Sequence, residues 1–164
     1  MRKIFIFIIF MVASLLACQS SDDSFRKAKD FYDALDLTDW KNTSIYLRSL
    51  DDEGLRLFFL NQGDTCKSPL IVSVDDFGMV KKVDPKLQLL HCEEVDGFDK
   101  SLIKGKIDII LNHQVTYLKV SEESVVSIDF NNSEKPKWIF VPENSSYLPG
   151  VLYEQKEKGW YKLK

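Results

Sequence analysis

Three adjacent acidic pairs, Asp75-Asp76, Glu93-Glu94 and Glu122-Glu123, are the first places in this chain where side chains could do chemistry. Two carboxylates work as acid and base only when they converge on one substrate. Neighbours on a strand project to opposite faces, so adjacency in sequence does not make a dyad. Asp75-Asp76 and Glu122-Glu123 fall at predicted turns, where local hydrogen bonding and water account for carboxylates without catalysis. The histidines are His91 and His113. His113 closes a predicted helix, where a cation suits the dipole. The sequence contains no Gly-x-Ser-x-Gly elbow, no phosphate-cradling glycine loop and no His-Glu-x-x-His pattern. It therefore assigns no catalytic residue, no metal and no cofactor.

Recognition is better represented. Trp138, Phe140, Tyr147, Tyr153, Trp160 and Tyr161 crowd the last third of the chain. Tyrosine and tryptophan suit binding surfaces, and they also pack well in strands. Core and cross-strand packing accounts for most of them. Tyr147, Trp138 and Trp160 are the candidate contacts, and the Pro-, Asn- and Ser-rich loop from Pro142 to Pro149, with Tyr147 towards its end, is the place to expect an exposed one.

The most specific signal lies at the start. Met1-Arg2-Lys3 is a basic opening, Ile4 to Val12 is an unbroken apolar run, and Leu15-Leu16-Ala17-Cys18 follows. These are the parts of a secretory signal. The uncharged stretch is shorter than the ~20 residues of a spanning helix. Leu15-Leu16-Ala17-Cys18 resembles the bacterial lipobox. The resemblance implies that residues 1–17 are removed and that Cys18 carries a diacylglycerol and an acylated amino group. One acyl chain binds a membrane only reversibly, whereas several hold it firmly. An ordinary signal peptide with a cysteine at the cut is the alternative.

Residues 18–23 then read as a polar tether. Asp22-Asp23 resembles the surface-export signal of Bacteroidetes lipoproteins, and equally suits the start of a helix. Gln19 stands where an inner-membrane retention signal would place Asp, which directs the expectation to the outer membrane, on its periplasmic or surface face.

Without the leader, 147 of the 164 residues remain, enough for one domain, and the net charge moves from −3 to −5 as Arg2 and Lys3 leave. Scattered basic residues on an acidic chain argue against nucleic acid as a partner. The membrane, reached through the N-terminal lipid, and another envelope or secreted protein are the expected partners. With Cys18 lipidated, Cys66 and Cys92 are left as an even pair, most simply a disulfide in an oxidising compartment. It would close a loop of ~25 residues and stabilise by about 3 kcal/mol. A metal site using Cys66, Cys92, His91 and His113 is the alternative, without close Cys or His pairs to support it.

Phe25, Ala28, Phe31, Tyr32 and Leu35 share one helical face, with Ser24 as a candidate N-cap. Thr38-Asp39 reads as a second cap, leading Trp40, Ser44 and Leu47 onto a short second helix. Residues 51–61 fit a third helix, led by Asp51, Asp52 and Glu53 and ended by Gly63, with a strand as the alternative. From Pro69 the period changes to two: strands at 70–74 and 79–83 around a turn, another at 87–92, and then a helix over 99–112. A meander follows, with strands at 115–120, 124–130, 138–141, 151–155 and 160–163. Helices first and strands later predict an α+β fold, with N-terminal helices packed on one face of a mostly antiparallel sheet, in a single domain over 24–164. Residues Phe25 to Trp40 resemble the opening of nuclear transport factor-like cone folds, which implies a curved sheet after two helices. Such folds host enzymes and binders alike, so the resemblance assigns no chemistry. The leading functional expectation is a non-catalytic envelope lipoprotein. An inhibitor or immunity-type lipoprotein, and a small cone-fold ligand carrier or enzyme, are the alternatives.

Overall fold

From Thr43 onward, β-branched and aromatic residues alternate with polar ones, the two-residue period of a strand with one face in a core. The computed structural model describes residues 23–50, 52–63, 69–85, 99–131, 133 and 135–164. The architecture is mixed and mostly sheet. Its strands are β1 (Thr43–Leu50), β2 (Arg56–Asn61), β3 (Leu70–Val74), β4 (Val80–Pro85), β5 (Tyr117–Val120), β6 (Val126–Asp129), β7 (Trp138–Phe140), β8 (Tyr153–Glu157) and β9 (Trp160–Leu163). Among the described residues they form one sheet in the order β4-β3-β2-β1-β5-β6-β7-β9-β8, every neighbouring pair antiparallel.

Two connections cannot be hairpins. Counting antiparallel steps along that order, β4 and β5 point the same way, and so do β7 and β8. Parallel strands need a crossover. The first crossover includes helix α3 (Lys100–Asn112), whose Asp99 cap accepts from the Ser101 and Leu102 amides at 2.9 and 3.2 Å. The Ser101 hydroxyl first, and then those amide bonds, hold the Asp99 carboxyl below its ordinary range. Ile103, Ile107 and Ile110 are buried at the spacing of one helical face. The second crossover, residues 141–152, has no helix or strand of its own.

Helix α2 (Leu37–Trp40) is capped by Asp36, whose Oδ1 accepts from the Thr38 amide at 3.0 Å. Lys106 of α3 donates from Nζ to the Asp39 carbonyl at 2.6 Å and lies 4.3 Å from the Trp40 ring centroid. Burial pushes the Lys106 ammonium below the usual lysine range. A buried amine needs partners of this kind, and here a helix-end carbonyl and an aromatic face supply them.

Residues 23–33 form helix α1, the preceding helix, with Ala28 and Phe31 fully buried. Asp23 is already helical and pairs with Arg26 at 2.6 Å, so Ser24 lies within the helix and is not its cap.

The expected second helix is corrected. Helix α2 ends at Trp40, Asn42 takes a positive φ of 54°, and Ser44 and Leu47 lie in β1. The four-and-three spacing of Trp40, Ser44 and Leu47 imitates a helix, but Thr43 and Ile45 carry the competing period of two. The preference for a helix over 51–61 is likewise overturned in favour of the strand alternative. Gly54 turns the chain at a φ of 81°, and β2 follows. Phe58, Phe59 and Leu60 are buried in succession because β2 is covered on both faces, and a continuous apolar run carries no period that distinguishes strand from helix. The strands expected at 70–74 and 79–83, the helix over 99–112 and the later strands are found within a few residues of their expected bounds. The strand expected at 87–92 falls outside the described residues.

The β8–β9 turn depends on Gly159. Its φ is 79°, and an added Cβ would meet Phe140 Cε2 at 2.8 Å and the Val141 carbonyl at 3.0 Å. Gly159→Ala is therefore expected to cost about 1–3 kcal/mol from strain and overpacking. Chemical denaturation measures it, and an unchanged midpoint would show that the turn does not need this glycine.

Candidate functional site

Register places polar side chains in line across the sheet from β2 to β6, and the row continues into the buried Ile139 of β7. Asn61, Ser44, Lys119, Ser127, Ile139 and Tyr161 pair in succession from β2 to β9. Two residues along, Phe59, Tyr46, Tyr117 and Asp129 make a parallel row on the same face. The intervening row is Leu60, Ile45, Leu118, Ile128 and Trp138, all at most 1 % exposed. One face is thus core and the other, over β2, β1 and β5, is polar and aromatic.

An open cleft of about 650 Å³ lies on that polar face. Ser44, Tyr46, Asn61, Tyr117, Lys119 and Ser121 line it, with Asn42 and Gly63 at the turns beside it. Gly63 keeps a φ of 76°, and its Cα approaches so near that an added Cβ would stand 3.0 Å from Asn42 Cβ. The cleft floor is stiffened by aromatic packing. Tyr46 stacks on Phe59 with centroids 5.2 Å apart, and the Arg48 guanidinium lies 5.0 Å from the same ring. Phe59 is buried beneath them although its face of the sheet is polar.

The 141–152 crossover borders this face. Glu123, in the β5–β6 turn, accepts from the Ser145 hydroxyl at 2.6 Å, the Ser146 amide at 2.9 Å and the Ser146 hydroxyl at 2.9 Å. These bonds hold its carboxyl below the usual range. Ser145 Oγ in turn accepts from the Tyr147 amide at 3.1 Å. Burial raises the Tyr117 phenol, and the neighbouring Tyr147 phenol adds to the shift. The Tyr153 phenol is raised by burial too, then by Tyr147, Tyr117 and Asp129, and donates to the Pro136 carbonyl at 3.0 Å. Tyr117 and Tyr153 stay protonated at neutral pH, and the Tyr117 phenol can both donate to and accept from a ligand. The face thus offers phenols, hydroxyls, carboxamides and the Lys119 ammonium.

No protein-family model, curated protein or solved structure matches the chain. The fold and the face stand on their own geometry.

Tyr147 of the expected contacts lies at the surface, 41 % exposed. Trp138 and Trp160 lie inside, 1 % and 4 % exposed, because their positions in β7 and β9 fall on the core face. The crossover expected as a loop is one, while Ser44, Tyr46, Asn61, Tyr117 and Lys119 were not anticipated as a site. The signal for Tyr117 and Lys119 was the alternation within their own strand, which sets both opposite Leu118 and Val120. Cys18, Cys66, Cys92 and His91 lie outside the described residues.

Acid should loosen the crossover. The folded-state pKa of Glu123 is lowered, so its contribution is full above the unfolded carboxylate pKa and fades as pH falls through the folded value. Hydrogen exchange at the Ser146 and Tyr147 amides is expected to accelerate in that acid window beyond its intrinsic pH dependence. Glu123→Gln should exchange fast at neutral pH and lose the transition. Equal protection in both proteins would remove Glu123 as the clasp.

Proposed function

We propose that this chain is a lipid-anchored bacterial envelope lipoprotein whose sheet is a non-catalytic binding module. In this reading residues 1–17 are the leader, Cys18 carries the lipid, and residues 18–23 are the tether to the outer membrane. Cys66 and Cys92 form the disulfide of an oxidising compartment. In this reading the polar and aromatic face over β2, β1 and β5 is the one that meets a ligand.

The observation that carries the binding role is the open cleft in which Tyr46 and Tyr117 stand in one row and Ser44, Asn61 and Lys119 in the next. Phenols bring rigid amphipathic contact area at low entropic cost, and amides and hydroxyls supply paired donors and acceptors. A lone ammonium adds one charge-assisted hydrogen bond. This chemistry suits a polar ligand rich in hydroxyl or amide groups and bearing at most modest negative charge.

Titration of the protein with N-acetylated saccharides and short peptides, followed by amide NMR, tests the module. Shifts are expected to map to Ser44, Tyr46, Tyr117 and Lys119. Lys119→Ala should weaken binding about tenfold, the value of one charge-assisted hydrogen bond. Shifts confined to other surfaces, or none with any ligand, would contradict the proposal.

A further inference from the structure

The C-terminal half of the crossover that ends at β8 exposes its apolar side chains instead of burying them. Leu148 is 86 % exposed and Val151 87 %, with Leu152 at 48 % and Tyr147 at 41 %. The four lie within six consecutive residues, around Pro149-Gly150. Apolar surface gathered in one short segment marks an interaction site, unlike single scattered residues.

The carbonyls at the C-terminal end of this segment are already paired. The Gly150 carbonyl accepts from the Tyr153 amide at 2.9 Å, and the Leu152 carbonyl from the Lys164 amide at 2.9 Å. The Val151 carbonyl accepts from Lys164 Nζ at 2.8 Å. Polar groups left unpaired are what make loops costly in hydrocarbon, and here three successive carbonyls, of Gly150, Val151 and Leu152, are paired by the protein itself. The surroundings are net basic, with Glu154 the acidic neighbour opposite Lys162. The Leu163 amide donates to the Lys137 carbonyl, and Lys162 pairs with Trp138, so Lys137, Lys162 and Lys164 share this end of the sheet. Residues 135–164 carry six lysines against three glutamates, whereas residues 18–134 carry fourteen basic against twenty-two acidic residues.

We propose that the Tyr147–Leu152 segment is a membrane-contact loop, which places Leu148 and Val151 among acyl chains and the neighbouring lysines at anionic headgroups. A convex apolar tip needs no shape-matched pocket when its partner is fluid lipid, and a basic collar matches a negative surface in sign. Such a loop alone binds weakly. Resting on the proposed Cys18 anchor, it becomes an intramolecular second contact that fixes how the module faces the membrane.

Indole fluorescence tests this. The native Trp40, Trp138 and Trp160 are all buried, so Leu148→Trp and Val151→Trp each add one exposed reporter, and Phe77→Trp, at a position 91 % exposed on the β3–β4 turn, is the control. Each full chain, isolated from membranes, is placed in phosphatidylethanolamine–phosphatidylglycerol vesicles with brominated acyl chains. Bromine should remove roughly half of the added emission at 148 and at 151, because an interfacial depth of about 5–10 Å brings the ring to the acyl carbons. Iodide should quench only the Phe77→Trp protein. Iodide access and no bromine quenching at both loop positions would overturn the proposal. Protection that arises only after an envelope protein is added would also overturn it, in favour of a protein-docking loop. The same reporters in a Cys18→Ala background separate the two readings. Bromine quenching there, weakened by salt, supports the loop even if the native N-terminus proves unacylated.

Discussion

Trp40→Ala is expected to destabilise the sheet unit by about 3–5 kcal/mol, the cost of emptying a large buried aromatic site. Trp40 is 2 % exposed and is among the largest fully buried side chains of the described residues. The indole fills space between a four-residue helix and α3, and a helix that short has little stability of its own. It also faces the Lys106 ammonium at 4.3 Å, a contact worth about 0.5–2 kcal/mol. Removing the ring strips one of the two partners that make the buried amine tolerable and leaves the Asp39 carbonyl as the other. Trp40→Phe should recover most of the loss, since it restores an aromatic face and much of the volume. Denaturant midpoints with unchanged slope measure both. A loss below about 1 kcal/mol for alanine would mean that α2 is a passenger and not a brace.

The second large effect is on location. Cys18→Ala should transfer the protein from the membrane fraction to the soluble one, because the proposed acyl chains each bring ~0.8 kcal/mol per buried CH2. The exposed Tyr147–Leu152 loop leaves a salt-sensitive residue of binding, so the washed fraction should be free of protein at high salt. Retention of the variant in salt-washed membranes would place the anchor elsewhere in the chain.

Much of the sheet was legible because its strands alternate. Leu70–Val74, Val126–Asp129 and Trp160–Leu163 are each bounded by turn residues and rich in β-branched or aromatic side chains, and α3 announced itself by Asp99 and the spacing of Ile103, Ile107 and Ile110. The errors fell where two periods coexist. Trp40, Ser44 and Leu47 satisfy a helix and Thr43, Ile45 and Leu47 a strand, and only pairing with β2 and β5 decides between them. Phe58-Phe59-Leu60 has no period, because Tyr46 and Arg48 cover the face that would otherwise be polar.

The site was less legible for the same reason. Strand register sets Ser44, Lys119 and Asn61 side by side, although they are separated by up to 75 positions in the chain. No local pattern reports that juxtaposition. Trp138 and Trp160 show the converse. Their residue type suggested a binding surface, but strand parity turned both inward.

The mass of the N-terminal peptide of the mature protein tests the proposed acylation of Cys18 most directly. The expected peptide begins at Cys18, with Met1 to Ala17 gone, and is heavier by a diacylglycerol and an amide-linked acyl chain. An N-terminal peptide that retains Met1, or one that begins at an unmodified Cys18, would contradict it.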